Sequence, residues 1–238
     1  MDNMLSNFVD KIIGLKRDEI IDVDQKKYSI SKISPILEPI VECLTVSSLR
    51  SIVDYVTNNN DGEKYKSEKE ILINISSPTE VEVLSNIFGS FKQREKIILA
   101  KYSFFNFRFG QFMDYESFII SVQTQFEQNE KLKNFLKFIS SVTNLSQKEN
   151  NDDGISQEVI VKAGVLLKGS ERTENPITLT PRRTFPDVQQ TPGQFVFRIN
   201  SENKFGLFES DGGMWQLEAK EAIFKFFDKE LSNYIVIR

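Results

Sequence analysis

The sequence contains no histidine. That absence removes the Ser-His and Cys-His nucleophile pairs, and with them the usual ligand sets of zinc and non-haem iron. Cysteine is nearly absent as well. Cys43 stands alone, so no intrachain disulfide can form, and its context Ile40-Val41-Glu42-Cys43-Leu44 predicts a small buried hydrophobe rather than a nucleophile. No apolar run approaches the roughly 20 consecutive positions of a membrane span, so no membrane partner is expected. Met1-Asp2-Asn3-Met4 places acid where a signal peptide carries Lys or Arg, and no small-residue cleavage site follows; the expected location is the cytoplasm. Gly-rich phosphate loops of the G-x-G-x-x-G and G-x-x-x-x-G-K-[ST] kinds are missing too. A basic excess is also lacking: 30 Lys and Arg against 34 Asp and Glu give a net charge of -4. Nucleic acid is therefore a disfavoured partner, because phosphate neutralisation supplies most of that affinity. Carboxylates can hold Mg²⁺ without histidine, so that chemistry stays open.

What is present is ordinary globular material, with 238 residues of which 39% are hydrophobic and 27% charged. The unusual count is 20 Phe against six Tyr and one Trp. This is more aromatic surface than a core of this size routinely uses, and it predicts that some phenylalanines lie at subunit contacts.

Periodicity predicts an α+β fold: a mixed, mostly antiparallel sheet with amphipathic helices at the N-terminus, in the middle and at the C-terminus. Residues 4–15 carry a helical apolar stripe. Polar 22–27 separates it from a strand that alternates through Tyr28, Ile30 and Ile33 and stops at Pro35, and Ile40 to Val46 predicts another strand. Ser47 and Ser48 precede the stripe Leu49, Ile52, Val53, Val56, as an N-cap precedes a helix. Alternation at Ile71, Ile73, Ile75, at Val81 and Val83, and again at 97–102 predicts two or three antiparallel strands. Phe104 to Phe109 reads as a strand or an apolar loop anchor. Asp114 and Asn129 each cap a helix of a hairpin, and 144–157 (NLSQKENNDDGISQ) reads as a linker or exposed loop. Two lobes follow: a mixed α/β lobe at 1–143 and a β-rich lobe at 158–238 with a C-terminal helix, packing as a single domain being the alternative. The second lobe contains a hairpin through 194–208, a helix from about 219 and a final edge strand at 234–237.

No catalytic, cofactor-binding or metal-binding residue is assigned, and no cofactor is expected. Asp211-Gly212-Gly213 with Glu209 and Glu218 is the one group that resembles an acidic metal site. A tight strand-to-helix turn is the favoured account, the glycines supplying positive φ and Asp211 capping. Arg182 and Arg183 are interface or phosphate candidates, with solvation or local ion pairing preferred. Arg198 and Arg108 alternate with Phe in FVFRI and FNFRF, but side chains alternate across a strand, so Phe195 and Phe197 face away from Arg198 and serve the core. Lys131, Lys133 and Lys137 predict a solvated helix face. Trp215 is expected to be largely buried, anchoring the last helix.

The strings ITLTPRRTFPDVQQTPGQFVFRI (177–199) and LFESDGGMWQLEAKEAI (207–223) resemble the carboxy-terminal signature of the YfdQ-like family of uncharacterised phage and prophage proteins. A weaker similarity covers LTVSSLRSIVDYV (44–56) and FMDYESF (112–118). The resemblance implies a phage or prophage accessory protein made in the host cytoplasm, and it supplies no catalytic residue. Together with the missing chemistry it leads to a non-enzymatic protein that acts as a homo-oligomer, a large closed assembly being one form of it, or through a host or phage protein partner. The alternatives are a phage DNA-metabolism module, binding single strands or using carboxylates and Mg²⁺, and a counter-defence protein that sequesters a host factor or nucleotide.

Overall fold

The computed structural model describes residues 20–29, 34, 35, 37, 39–58, 71–103, 106–149, 165–168 and 171–238. The expected helix at 4–15 lies outside them. The fold is α+β; among the described residues there are four helices, a five-stranded mixed sheet, a three-stranded antiparallel sheet, and two small antiparallel sheets formed by β1 (Ile20–Val23), β2 (Lys26–Ser29) and β3 (Ser34–Pro35) and by β8 (Val165–Lys168) with β9 (Glu171–Glu174).

The antiparallel run expected between 70 and 102 forms β5 (Ile71–Ser77), β6 (Glu80–Ser85) and β7 (Lys96–Lys101). Alternation at period two sends Ile71, Ile73, Ile75, Val81 and Val83 to one face, where all are buried. β4 (Leu44–Val46) joins β7 in parallel and β13 (Ile235–Ile237) joins β5 in parallel, so the order is β13-β5-β6-β7-β4 and the last strand is an edge, as expected. Two helices cover the buried face: α1 (Leu49–Asn58) through Leu49, Ile52 and Val53, and α4 (Met214–Glu230) through Ile223 and Phe227. Ser48 caps α1 by accepting from the Ser51 amide at 3.2 Å. A second cap comes from far along the chain, since the Asp187 carboxylate accepts from the Leu49 and Arg50 amides at 3.2 and 3.1 Å.

The second core lies between α2 (Tyr115–Gln125), α3 (Glu130–Glu149) and the sheet β10 (Ile177–Leu179), β11 (Gly193–Ile199), β12 (Phe205–Glu209). Asp114 caps α2 through the Ser117 amide (2.9 Å), and Asn129 caps α3 through the Leu132 amide (2.9 Å), both at the expected residues. The β11–β12 hairpin turns where its sequence places the turn. Asn200 there accepts from the Glu202 and Lys204 amides at 3.0 and 2.8 Å. Phe195 and Phe197 are both fully buried, and Lys131, Lys133 and Lys137 are exposed.

Several expectations change. Segment 22–27 is no plain loop: β1 (Ile20–Val23) and β2 (Lys26–Ser29) form a hairpin, with Asp24 and Gln25 at φ 53 and 65. Both values are positive, as a tight two-residue turn between twisted strands requires. The strand expected at 40–46 shortens to β4, and α3 extends through 144–149, which had read as linker; 150–157 lie outside the described residues. The segment after β7 is a loop anchor at Phe107, which is buried. Cys43 is half-buried rather than buried, because no described strand pairs with the outer side of β4. Its thiol lies 3.6 Å from the Leu44 carbonyl oxygen, and partial burial pushes its pKa up, away from thiolate chemistry.

Two findings bear on function. Each core draws on both sides of 144–157: α4 and β13 complete the first, whereas α2 and α3 pack on β10 to β12 in the second. The phenylalanine excess is also largely absorbed internally. Phe107, Phe118, Phe126, Phe135, Phe138, Phe195, Phe197 and Phe205 fill the second core, mostly in tilted or edge-to-face pairs, and Phe112 is the one conspicuously exposed ring among the described residues. Among the described residues the phenylalanines thus serve mainly the cores.

Candidate functional site

The site grows from two pieces of chain that the sequence separates by about a hairpin's length. The first is the loop 181–192, whose prolines at 181, 186 and 192 deny it strand structure. Its shape is set by a buried side chain, Gln190. The amide oxygen of Gln190 accepts from the Arg183 and Thr184 backbone N–H groups at 2.9 and 3.2 Å, and its NH₂ donates to the Thr184 and Phe185 carbonyls at 3.3 and 3.1 Å. Thr184 donates its hydroxyl to the Pro78 carbonyl at 2.6 Å, and Phe185 enters the first core. The loop therefore bolts to the β5–β6 turn and presents Arg183 at a fixed place.

The second piece is the turn between β12 and α4. Gly212 and Gly213 have φ of 63 and 83, which only glycine adopts cheaply, and the Asp211 carboxylate accepts from the Gly213 amide at 3.0 Å. The tight turn is as expected, but Asp211 does not cap α4: Gly213 is the N-cap and no side chain bonds to the helix's first amides, because the Asp211 carboxylate is used within the turn itself. The turn delivers Glu209, Asp211 and Trp215 to Arg183. Nη1 of Arg183 donates to Glu209 at 2.6 Å, Nη2 lies 3.8 Å from Asp211, and the guanidinium carbon sits 3.9 Å from the Trp215 ring centre and 5.7 Å from that of Phe195. Arg183 is only 4% exposed. Burial pushes its pKa down and the two carboxylates push it back up; a guanidinium starts so high that it stays charged. Its Nε and Nη2 are buried without a hydrogen-bond partner.

Of the residues singled out in the sequence, Arg183, Asp211, Gly212, Gly213 and Trp215 are brought together, and Arg182 is not. Arg182 is exposed, and its backbone N–H donates to the Gln125 carbonyl at 2.8 Å. Trp215 departs from expectation. It is half-buried, because its partner is the charged plane of Arg183 at a cleft wall and not the hairpin's apolar interior. The acidic group also acquires a different role: Glu209 and Asp211 face a guanidinium, Glu218 is exposed, and among the described residues no three His, Cys, Asp or Glu side chains gather to hold a metal. Gln190 carried no signal in sequence, since a glutamine in a Pro-rich loop looks like a surface residue.

Arg183, Glu209 and Trp215 line an open cleft of about 800 Å³ between the two cores, together with Ser77 to Thr79 and the segment Tyr102, Ser103, Asn106 to Phe109. Its Ser77 and Thr79 hydroxyls lie 3.3 Å apart and hydrogen-bond to each other. Chemically the arrangement is a rigid aromatic and charged wall suited to binding. Gly193 is part of its construction: a Cβ there would stand 2.7 Å from Nη2 of Arg183 and 3.0 Å from the Phe195 ring. The guanidinium, pinned by Glu209 and Trp215, cannot retreat cheaply. Gly193→Ala should therefore cost about 1–3 kcal/mol in urea unfolding, as overpacking does; a loss near zero would show that Arg183 is free to move.

Fold and site together define an α+β protein with two interleaved cores and a polar, aromatic cleft between them. No protein-family model, no curated protein and no solved structure matches the chain. No helix among the described residues is long and apolar enough to cross a membrane.

Proposed function

We propose that the chain is a phage or prophage accessory protein of the host cytoplasm, without catalysis of its own, that works by assembling with further copies of itself through the edges of its five-stranded sheet. The observation behind the reading is that both edges carry exposed apolar side chains. Ile235 and Ile237 of β13 are 55% and 45% exposed, and at the other edge Leu44 is 48% exposed, preceded by Ile40 at 57%. Edge strands normally carry charge to prevent pairing; here three apolar side chains stand on two of them. β13, β5, β7 and β4 all run the same way, with β6 alone reversed. One copy's β13 can therefore lie parallel to the next copy's β4 in a head-to-tail contact, which closes into a ring or extends as a filament.

Light scattering at micromolar concentration is the test. The protein should have a mass well above 27.5 kDa, and Ile235→Lys with Ile237→Lys, both at exposed positions, should reduce it to the monomer without unfolding it. A wild-type monomer refutes the assembly.

A further inference from the structure

The cleft plays no part in an edge-to-edge contact, and its walls have a chemistry of their own. We infer that it is a binding site for a nucleotide, with the base stacked on Trp215 and the phosphate held by Arg108. Trp215 is half-buried, and one face is already occupied by the Arg183 guanidinium at 3.9 Å. Because Arg183 is locked by Glu209 at 2.6 Å, the indole has a fixed backing and offers its remaining surface to the cleft. A preorganised aromatic plane of this kind suits a flat heterocycle, since stacking then costs little ordering.

The phosphate end follows from charge. Arg183 is no anion receptor: its N–H groups are buried, and Glu209 and Asp211 neutralise it and repel an approaching phosphate. Arg108, which also lines the cleft, is exposed and makes no ion pair among the described residues. An exposed guanidinium with no carboxylate partner among the described residues is a ready phosphate ligand. The same asymmetry orients the base, because Glu209, 35% exposed and pairing through one oxygen, can accept from an exocyclic amine near Trp215. Asn106, exposed and lining the same cleft, is the polar side chain assigned to the sugar. A volume of about 800 Å³ suits such a ligand, within the roughly 300–1,000 Å³ typical of small-molecule sites. A free mononucleotide and the end of a single strand share this chemistry.

The full chain is titrated with AMP, GMP, adenosine, guanosine and a short single-stranded oligonucleotide, followed by calorimetry and by the emission of Trp215, the single tryptophan. The expected result is saturable binding of AMP or GMP that changes Trp215 emission, about tenfold or more tighter than that of the matching nucleoside. Arg108→Ala, at an exposed loop position, should erase the phosphate preference and leave nucleoside binding unchanged. Binding of the oligonucleotide alone, with the same emission change and the same Arg108 dependence, supports the site and identifies the source as a strand. No binding of any probe at millimolar concentration, binding without an emission change, or a phosphate preference that survives Arg108→Ala overturns the proposal.

Discussion

Glu209→Ala is expected to destabilise the protein by about 3 kcal/mol, more than Arg183→Met does, although the arginine is the larger side chain. The asymmetry comes from solvent access. Arg183 is 4% exposed, so removing Glu209 strands a buried cation whose other carboxylate, Asp211, lies 3.8 Å away, too far for a hydrogen bond. Glu209 itself is 35% exposed and recovers hydration when the arginine is removed. Arg183→Met keeps the apolar stem and loses mainly the stack on Trp215, a loss of up to about 2 kcal/mol. Urea unfolding of both variants, followed by Trp215 emission, reads the order directly. Arg183→Met should also shift native emission to longer wavelength, because the indole loses its backing. The reverse order of stabilities would mean that water reaches the guanidinium.

Phe197→Ala should have the largest effect of any single truncation considered, about 3–5 kcal/mol, out of a total of roughly 5–15 kcal/mol for a typical domain. Phe197 is fully buried at the meeting point of β11, β12, α2 and α3. It lies edge-on to Phe135 at 5.3 Å and to Phe138 at 6.4 Å, and tilted against Phe118 at 5.9 Å and Phe205 at 6.1 Å. Its removal opens a cavity whose walls are rigid rings attached to three different elements, α2, α3 and β12, so collapse cannot fill it. Phe112→Ala is the control: that ring is 41% exposed and meets only Phe208 among the ring pairs described, so its loss should cost less than about 1 kcal/mol. Thermal unfolding of the two variants should differ widely. Similar melting temperatures would show that the aromatic core is loosely packed.

Local patterns in the chain are sufficient for much of this architecture. Alternation at Ile71, Ile73 and Ile75 depends only on the two-residue pleat, and Asp114 and Asn129 cap helices because a short acceptor three residues before an amide satisfies it wherever the helix lies. The turn at Asp211-Gly212-Gly213 is equally local, since positive φ is a property of glycine itself. The separation of Phe197 from Arg198 follows from the same pleat, and the absence of histidine excludes imidazole chemistry whatever the fold.

Other features depend on contacts that no local pattern encodes. A phenylalanine surplus looks the same whether it fills a core or an interface, and only the packing of α2 and α3 on β10 to β12 shows that it is mostly spent inside. Segment 144–149 is polar enough to be a loop, yet α3 runs through it, because a helix already started at Asn129 extends at little further cost. Asp187 caps a helix 138 positions away, and Gln190 folds the loop that delivers Arg183. The site follows the same division: amino-acid order is enough to mark Arg183, Asp211 and Trp215 as unusual, but the pairing of Arg183 with Glu209, its stacking under Trp215 and the opening of a cleft that Arg108 also lines were decided by tertiary structure, because a buried charge finds its partners in space and not along the chain.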